Sequence, residues 1–267
     1  MNLAPSADLR VSLVQADTVW RDAEANRQQY GQLVRPLAGA TDLVVLPETF
    51  TSGFGNEAIA LAEGMDGASV AWVRDLSKDI DAVVTGSVVI AENGRVWNRL
   101  LWAAPDGGLS WYDKRHLFRM ADEHLRYGAG EARVLTSCRG WRVLPLVCYD
   151  LRFPVWSRNR ATNDGCEYDL ALYVANWPSP RRYAWQTLLR ARAIENLAYV
   201  VGVNRVGIDG SGHAYSGDSA VLDPLGQTLV ELGAQPQVVT VTLSAEALRL
   251  HRERFPAFRD ADGFVLE

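Results

Sequence analysis

The densest chemistry in the chain lies in Leu144-Pro145-Leu146-Val147-Cys148-Tyr149-Asp150-Leu151-Arg152-Phe153-Pro154. An apolar run of this kind reads as a buried strand, and it stops at a thiol backed by a carboxylate, a guanidinium and a proline. Open α/β proteins place reactive groups at such strand ends. Taken alone, Cys148 fits equally well as a small buried hydrophobe.

Other apolar runs end the same way. Leu43-Val44-Val45-Leu46 runs into Pro47-Glu48, and Asp169 to Val174 runs into Asn176-Trp177-Pro178. Lys114 follows a further strand, Leu109 to Asp113. If these ends converge, one pocket holds a thiol, a carboxylate and an ammonium. The carboxylate can accept the thiol proton. The lysine can steady an oxyanion and favour the thiolate, with the N–H of Tyr149 as a second oxyanion donor. Each group also has a plainer role. Glu48 fits a solvated loop, and Lys114 fits a solvated charge cluster with Asp113, Arg115 and His116. His116 and His124 offer a Cys-His alternative, although their context does not set them apart from loop histidines. No His/Cys pairs show ligand spacing, so neither a metal nor a cofactor is expected.

The bulk properties narrow the class. With 267 residues, 48% hydrophobic and 22% charged, the chain has enough apolar material for a sizeable core. A net charge of -5 points to neither nucleic acid nor an anionic membrane as partner. Three cysteines are too few for a disulfide framework and suit a reducing compartment. The segment Met1 to Asp8 lacks the basic and apolar regions of a signal peptide, and no apolar run reaches the roughly 20 residues of a membrane span. A cytoplasmic protein is expected.

The elements that would position these residues follow from periodicity. Leu9 to Gln15 alternates as a first strand, and Asp22 caps a helix that Pro36 ends near Val34 to Arg35. A second helix spans Ala68 to Lys78. The period then changes to two, with strands Ala82 to Ile90, Arg95 to Ala104 and Leu109 to Asp113 joined by tight turns. Periodicity fails between Lys114 and Arg142, a long irregular and aromatic segment of the kind that carries function. After the Cys148 strand come a helix from Val155 to Arg160, the Asp169 strand, a helix from Tyr183 to Leu197 and a strand from Tyr199 to Asn204. His213 to Leu222, Gln227 to Leu232 and Val238 to Leu243 read as closing strands. Ser244 caps a last helix, Ala245 to Arg252, and a tail from about residue 253 is expected to pack on a partner subunit. The two halves share a strand-helix-strand pattern, which favours an α/β fold with mixed sheets: one domain over 1–267, two sheets face to face with helices outside.

Leu46-Pro47-Glu48, Tyr112-Asp113-Lys114-Arg115-His116-Leu117-Phe118 and Cys148-Tyr149-Asp150-Leu151-Arg152-Phe153-Pro154 resemble, in order and in spacing, the three signature segments of the nitrilase (carbon–nitrogen hydrolase) superfamily. The resemblance implies a four-layer αββα sandwich and a Glu-Lys-Cys triad of Glu48 as general base, Lys114 at the oxyanion and Cys148 as nucleophile. It also implies a second glutamate seven residues before a glycine, a spacing that Glu123 and Gly130 match, with Glu131 as the fallback. The implied reaction is amide hydrolysis through a thioester, by a homodimer acting on a small-molecule amide and water.

Glu48-Thr49-Phe50-Thr51-Ser52-Gly53-Phe54 and the loop to Arg119 resemble the bacterial ω-amidase branch, which hydrolyses the terminal amide of 2-oxoacid monoamides such as 2-oxoglutaramate and 2-oxosuccinamate. Such substrates carry a far-end carboxylate that calls for a fixed cation. Arg152, Arg119, Arg181 and Arg182 are available. Arg152 is nearest the nucleophile in sequence, and it suits a loop-holding ion pair equally well. Phe118 and Trp177 would supply apolar walls. The alternatives are an amidase for deaminated glutathione or N-carbamoyl amino acids, and a catalytically silent binding module.

Overall fold

The computed structural model describes residues 4–162 and 165–266; Met1 to Leu3, within the stretch read for a signal peptide, and Glu267 lie outside the described residues. In chain order the elements are β1 (Leu9–Gln15), α1 (Ala23–Val34), β2 (Leu43–Val45), α2 (Ala68–Ile80), β3 (Val83–Glu92), β4 (Arg95–Ala103) and β5 (Leu109–Asp113). There follow β6 (Thr136–Cys138), β7 (Trp141–Val147), α3 (Pro154–Ser157), β8 (Ala161–Thr162), β9 (Gly165–Cys166), β10 (Leu170–Ala175), α4 (Arg182–Asn196) and β11 (Tyr199–Asn204). The last are β12 (Val206–Ile208), β13 (Ala214–Ser216), β14 (Ala220–Leu222), β15 (Thr228–Glu231), β16 (Gln237–Leu243) and α5 (Ala245–Arg254).

Two six-stranded sheets carry the fold, in the orders β16-β1-β2-β3-β4-β5 and β15-β14-β11-β10-β7-β6. Both are mixed. The strands β1, β2 and β3 are parallel, whereas β3, β4 and β5 form an antiparallel meander. In the second sheet β7, β10 and β11 are parallel and β14 and β15 return antiparallel. Leu9, Val11, Leu13, Leu100 and Trp102 of the first sheet share one buried cluster with Leu144, Leu146, Leu170 and Val201 of the second. The opposite face of the first sheet buries Val14, Val44 and Val84 against Tyr30 and Val34 of α1 and Val73 and Leu76 of α2. Trp185, Leu189 and Ala193 of α4 cover the second sheet. The result is the expected αββα sandwich.

Local sequence explains the element ends. The Asp22 side chain accepts from the N–H of Ala25 at 2.9 Å, and the Ser244 hydroxyl accepts from that of Ala247 at 3.2 Å. Pro145 is tolerated in β7 because β6 covers only Trp141 to Val143, leaving β7 an edge strand at the proline.

Three expectations need correction. The helix after the nucleophile is a single turn, Pro154–Ser157, because Asn159 is recruited to accept from Tyr168 N and to donate to Asn196 O. A short strand, Thr136–Cys138, lies inside the segment read as irregular. The stretch read as one strand from His213 to Leu222 is split, because Gly217 and Asp218 both take positive φ, 67° and 56°. The first piece pairs with β12 as a separate two-stranded ribbon. The tail folds back on its own chain in part, since Phe258 is buried beside Cys166 and Leu197.

Candidate active site

The parallel strands point their C-terminal ends to one edge of the sandwich, where the two sheets supply different groups. Glu48 lies just past β2 and Lys114 just past β5; Cys148 follows β7 and Asn176 follows β10. Asn176 joins the sheets. Its N–H donates to Glu48 Oε2 at 2.8 Å, and its side-chain amide donates to the Glu48 carbonyl at 2.7 Å. Asn98 Nδ2, from β4, donates to Glu48 Oε1 at 2.8 Å. Three hydrogen bonds, from Asn98, Lys114 and the Asn176 N–H, therefore hold a carboxylate with no solvent exposure.

Lys114 is buried between two carboxylates. Its Nζ lies 2.9 Å from Glu48 Oε1 and 3.0 Å from both oxygens of Glu123, with the Phe54 ring centroid 5.0 Å away. Glu123 Oε2 also accepts from the N–H of Phe118 at 2.5 Å. Of the two glutamates weighed in the sequence, Glu123 joins the cluster and Glu131 is exposed. Gly130 has a packing reason to be glycine: a Cβ there would lie 2.0 Å from the Asp113 carbonyl, and its N–H donates to the Lys114 carbonyl.

Backbone strain marks the site. Cys148 itself has φ 45°, Thr49 after Glu48 has φ 40° and Asp122 before Glu123 has φ 53°. A non-glycine residue in this region costs about 1–2 kcal/mol, so something must hold it. At Cys148 that something is Asp150, a residue with no role assigned from sequence alone. Its buried carboxylate accepts from Val147 N at 3.0 Å, His116 N at 3.0 Å and Tyr112 Oη at 2.8 Å, and lies 2.7 Å from His116 Nδ1. The His116 ring stacks on Phe153 with centroids 3.7 Å apart. His116 thus faces Asp150, and neither it nor His124 lines the cavity in front of Cys148.

The electrostatics contradict one expectation. Burial and then the neighbouring Glu48 push the Cys148 thiol well above its ordinary value, and Lys114 opposes this without prevailing. Lys114 does not leave a free thiolate because its charge is already shared by two carboxylates. Burial works against the ammonium too, but Glu123 and Glu48 outweigh it and hold the Lys114 pKa above the ordinary lysine value. Burial raises Glu123 above the usual carboxylate range, against the pull of Lys114. The shift on Cys148 favours a protonated thiol beside the buried Glu48 side chain.

In front of Cys148 lies a cavity of about 470 Å³. The residues expected on the substrate side, Phe118, Arg152 and Trp177, all line it, as do Tyr149, Phe54 and Arg181. Asp209, Ser211, His213 and Tyr215 of the β12–β13 ribbon close another side. Arg119 and Arg182 do not line it; Arg182 is paired with Asp218 at 2.6 Å. Among the described residues no cluster of His, Cys, Asp and Glu has the arrangement of a metal site, and no helix is long and apolar enough to cross a membrane.

Strand ends that converge on a strained cysteine, a buried lysine and two glutamates define a class of hydrolase, and the comparisons agree. The carbon–nitrogen hydrolase family model matches residues 10–253. The chain is 53% identical to the omega-amidase YafV of Escherichia coli K12, over 97% of this chain and 98% of the relative. It is 31% identical to the 2-oxoglutaramate amidase of Bacillus subtilis, over 94% and 96%. Among solved structures, a CN-hydrolase superfamily protein of Xanthomonas campestris with an arsenic adduct in its active site is 60% identical, with a TM-score of 0.96 over 97% of this chain and 99% of that one. The chain belongs to the carbon–nitrogen hydrolase, or nitrilase, superfamily and is an amidase of its ω-amidase branch.

Proposed function

We propose that the protein hydrolyses the terminal carboxamide of a small 2-oxoacid monoamide, of the 2-oxoglutaramate or 2-oxosuccinamate type, to the acid and ammonia. The observation that carries the mechanism is the buried Glu48–Lys114–Glu123 cluster beside Cys148, whose thiol burial pushes well above its ordinary pKa, since such a nucleophile needs a base at the moment of attack. Glu48 takes the Sγ proton as Cys148 attacks the amide carbon. The negative charge leaves the carboxylate and reappears on the carbonyl oxygen, where Lys114 and the Tyr149 N–H receive it. The site's net charge does not change, so the buried cluster has no new charge to accommodate. Glu48 then returns the proton to the departing ammonia, leaving a thioester on Cys148. Water, deprotonated by Glu48 and oriented by Glu123, attacks the thioester carbon; the C–S bond breaks, the acid leaves, and Glu48 returns the proton to Sγ of Cys148. Arg152, with Phe118 and Trp177 as walls, binds the carbon chain and far carboxylate of the substrate.

The names of the relatives support the substrate class. The family reading extends to a homodimer in the cytoplasm. Exposed Tyr183 and Ile194 on α4 and Phe255 after α5 support a partner against the outer helices and tail. The test is ammonia release from a panel of 2-oxoglutaramate, 2-oxosuccinamate, deaminated glutathione and an N-carbamoyl amino acid. The 2-oxoacid monoamides are expected to show the highest kcat/KM. Faster turnover of either of the other two would replace this substrate assignment.

A further inference from the structure

Two arginines face the cavity, and neither meets a carboxylate within ion-pair distance among the described residues; each lies over an aromatic ring instead. The Arg152 guanidinium is 5.0 Å from the Trp177 ring centroid, and that of Arg181 is 5.1 Å from Phe118. The two mounts are coupled. Trp177 Nε1 donates to the Arg181 carbonyl at 2.8 Å, so the ring that carries one arginine fixes the backbone of the other. Phe118 is anchored in turn by its N–H on Glu123 and by the edge of Tyr149, 5.1 Å between centroids.

A guanidinium stacked on a ring is held by its face and keeps its in-plane N–H donors for an anion. The other charges of the lining do not compete for them. Asp209 is occupied by the N–H groups of Ser211 and His213 and by the Tyr215 hydroxyl, at 2.9, 2.9 and 2.8 Å. Glu57 and Asp122 are exposed at the rim. The cavity therefore presents one cationic wall whose donors find no carboxylate among the described residues.

We propose that Arg181, acting with Arg152, sets the preference of this site for amides of acids over neutral amides by binding the far carboxylate of the substrate. The inference rests on the amidase reading above and extends it to a residue outside the catalytic cluster. Arg181 is a specificity residue: it touches the substrate three or more bonds from the carbon that reacts.

The test compares succinamate with butanamide, which has the same four-carbon length without the carboxylate. In Arg181→Met the stem still covers Phe118 while the charge is gone. The ratio of kcat/KM on succinamate to that on butanamide should fall by about 10- to 100-fold, mostly through KM, the scale of one charge-assisted hydrogen-bond partner. Arg181→Lys should recover part of that ratio. A ratio unchanged within about twofold, including an equal fall on both amides, would overturn the proposal and leave Arg181 a packing residue. Calorimetry with succinate probes the same wall without turnover. Binding weakened about tenfold or more in Arg181→Met supports the proposal; equal binding by both proteins, or none by the parent, overturns it. Failure of the amidase reading is distinct, because the parent would then release ammonia from neither amide while its succinate binding still reports on the wall.

Discussion

The protein sets two carboxylate–cation clusters in its interior, the second reaching the surface through the partly exposed Arg142, and they are built differently. One is Glu48, Lys114 and Glu123 at the strand ends. The other is Asp169, Arg142 and Arg252 beneath the second sheet, where Arg142 grips Asp169 through Nε and Nη2 at 2.8 and 2.6 Å. Arg252 Nη1 reaches the same carboxylate at 2.7 Å, while its Nε and Nη2 donate to the carbonyls of Leu197 and Tyr168 at 2.9 and 2.8 Å. Planar guanidinium forks suit that task, because each donor has a fixed acceptor and the set locks α5 and β10 in place. The catalytic cluster uses a compact ammonium between two carboxylates, with a cavity on its open side. The forked cluster is saturated and holds structure. The lysine cluster carries an excess carboxylate beside a thiol, which leaves it a proton acceptor and a charge to move.

That contrast can be broken from either side. Lys114→Met should cut kcat by about 10²–10³-fold with little change in KM, since the lysine acts on a charge that appears only after attack. Steady-state kinetics checks it, and a kcat within a few-fold of the parent would remove Lys114 from the oxyanion. Arg252→Met should do the reverse. Losing the forks from a buried carboxylate costs about 3 kcal/mol, or roughly 10 °C in Tm for a chain of this size. Turnover below the transition should stay within about twofold. Thermal denaturation and kinetics on one preparation separate the two clusters.

A smaller effect sharpens the picture of the thiol. Because its pKa is raised, Cys148 stays protonated through neutral pH, and the reactive thiolate grows as pH rises towards the folded value. Iodoacetamide labelling of Cys148 should climb by about tenfold per pH unit without a plateau below about pH 9. Cys138, buried and pushed up to about 12, and the buried Cys166 should label more slowly. A plateau below about pH 8 would mean that Lys114 does hold a thiolate.

The sequence displayed what lies just past an apolar run. Glu48, Lys114, Cys148 and Asn176 each follow a strand whose end is visible from composition, and parallel strands then bring those ends together. The residues that hold them were harder to see. Asn98 sits mid-strand on the face of β4 that also carries Leu100 and Trp102, and a polar residue in an inward register was the available signal. Asp150 gives no local signal as the clamp of a strained turn, because its partners Tyr112 and His116 are more than 30 residues away in the chain. The charge state was misjudged for a related reason. A lysine near a cysteine suggests a thiolate, but the second glutamate and the depth of burial reverse the balance, and neither is a property of local sequence. The split between β13 and β14 turns on Gly217, where a Cβ would strike the Gln15 side chain at 2.4 Å, a contact across the fold.

The central claim is that Cys148 carries the acyl group between the two halves of the reaction. Mass spectrometry of protein quenched during turnover of 2-oxosuccinamate tests it most directly. The account predicts an adduct with the mass of the acyl group, on the peptide containing Cys148, that is released by hydroxylamine and absent from Cys148→Ala, which should release no ammonia. Ammonia release by Cys148→Ala at the parent's rate, with no adduct on either protein, would contradict it.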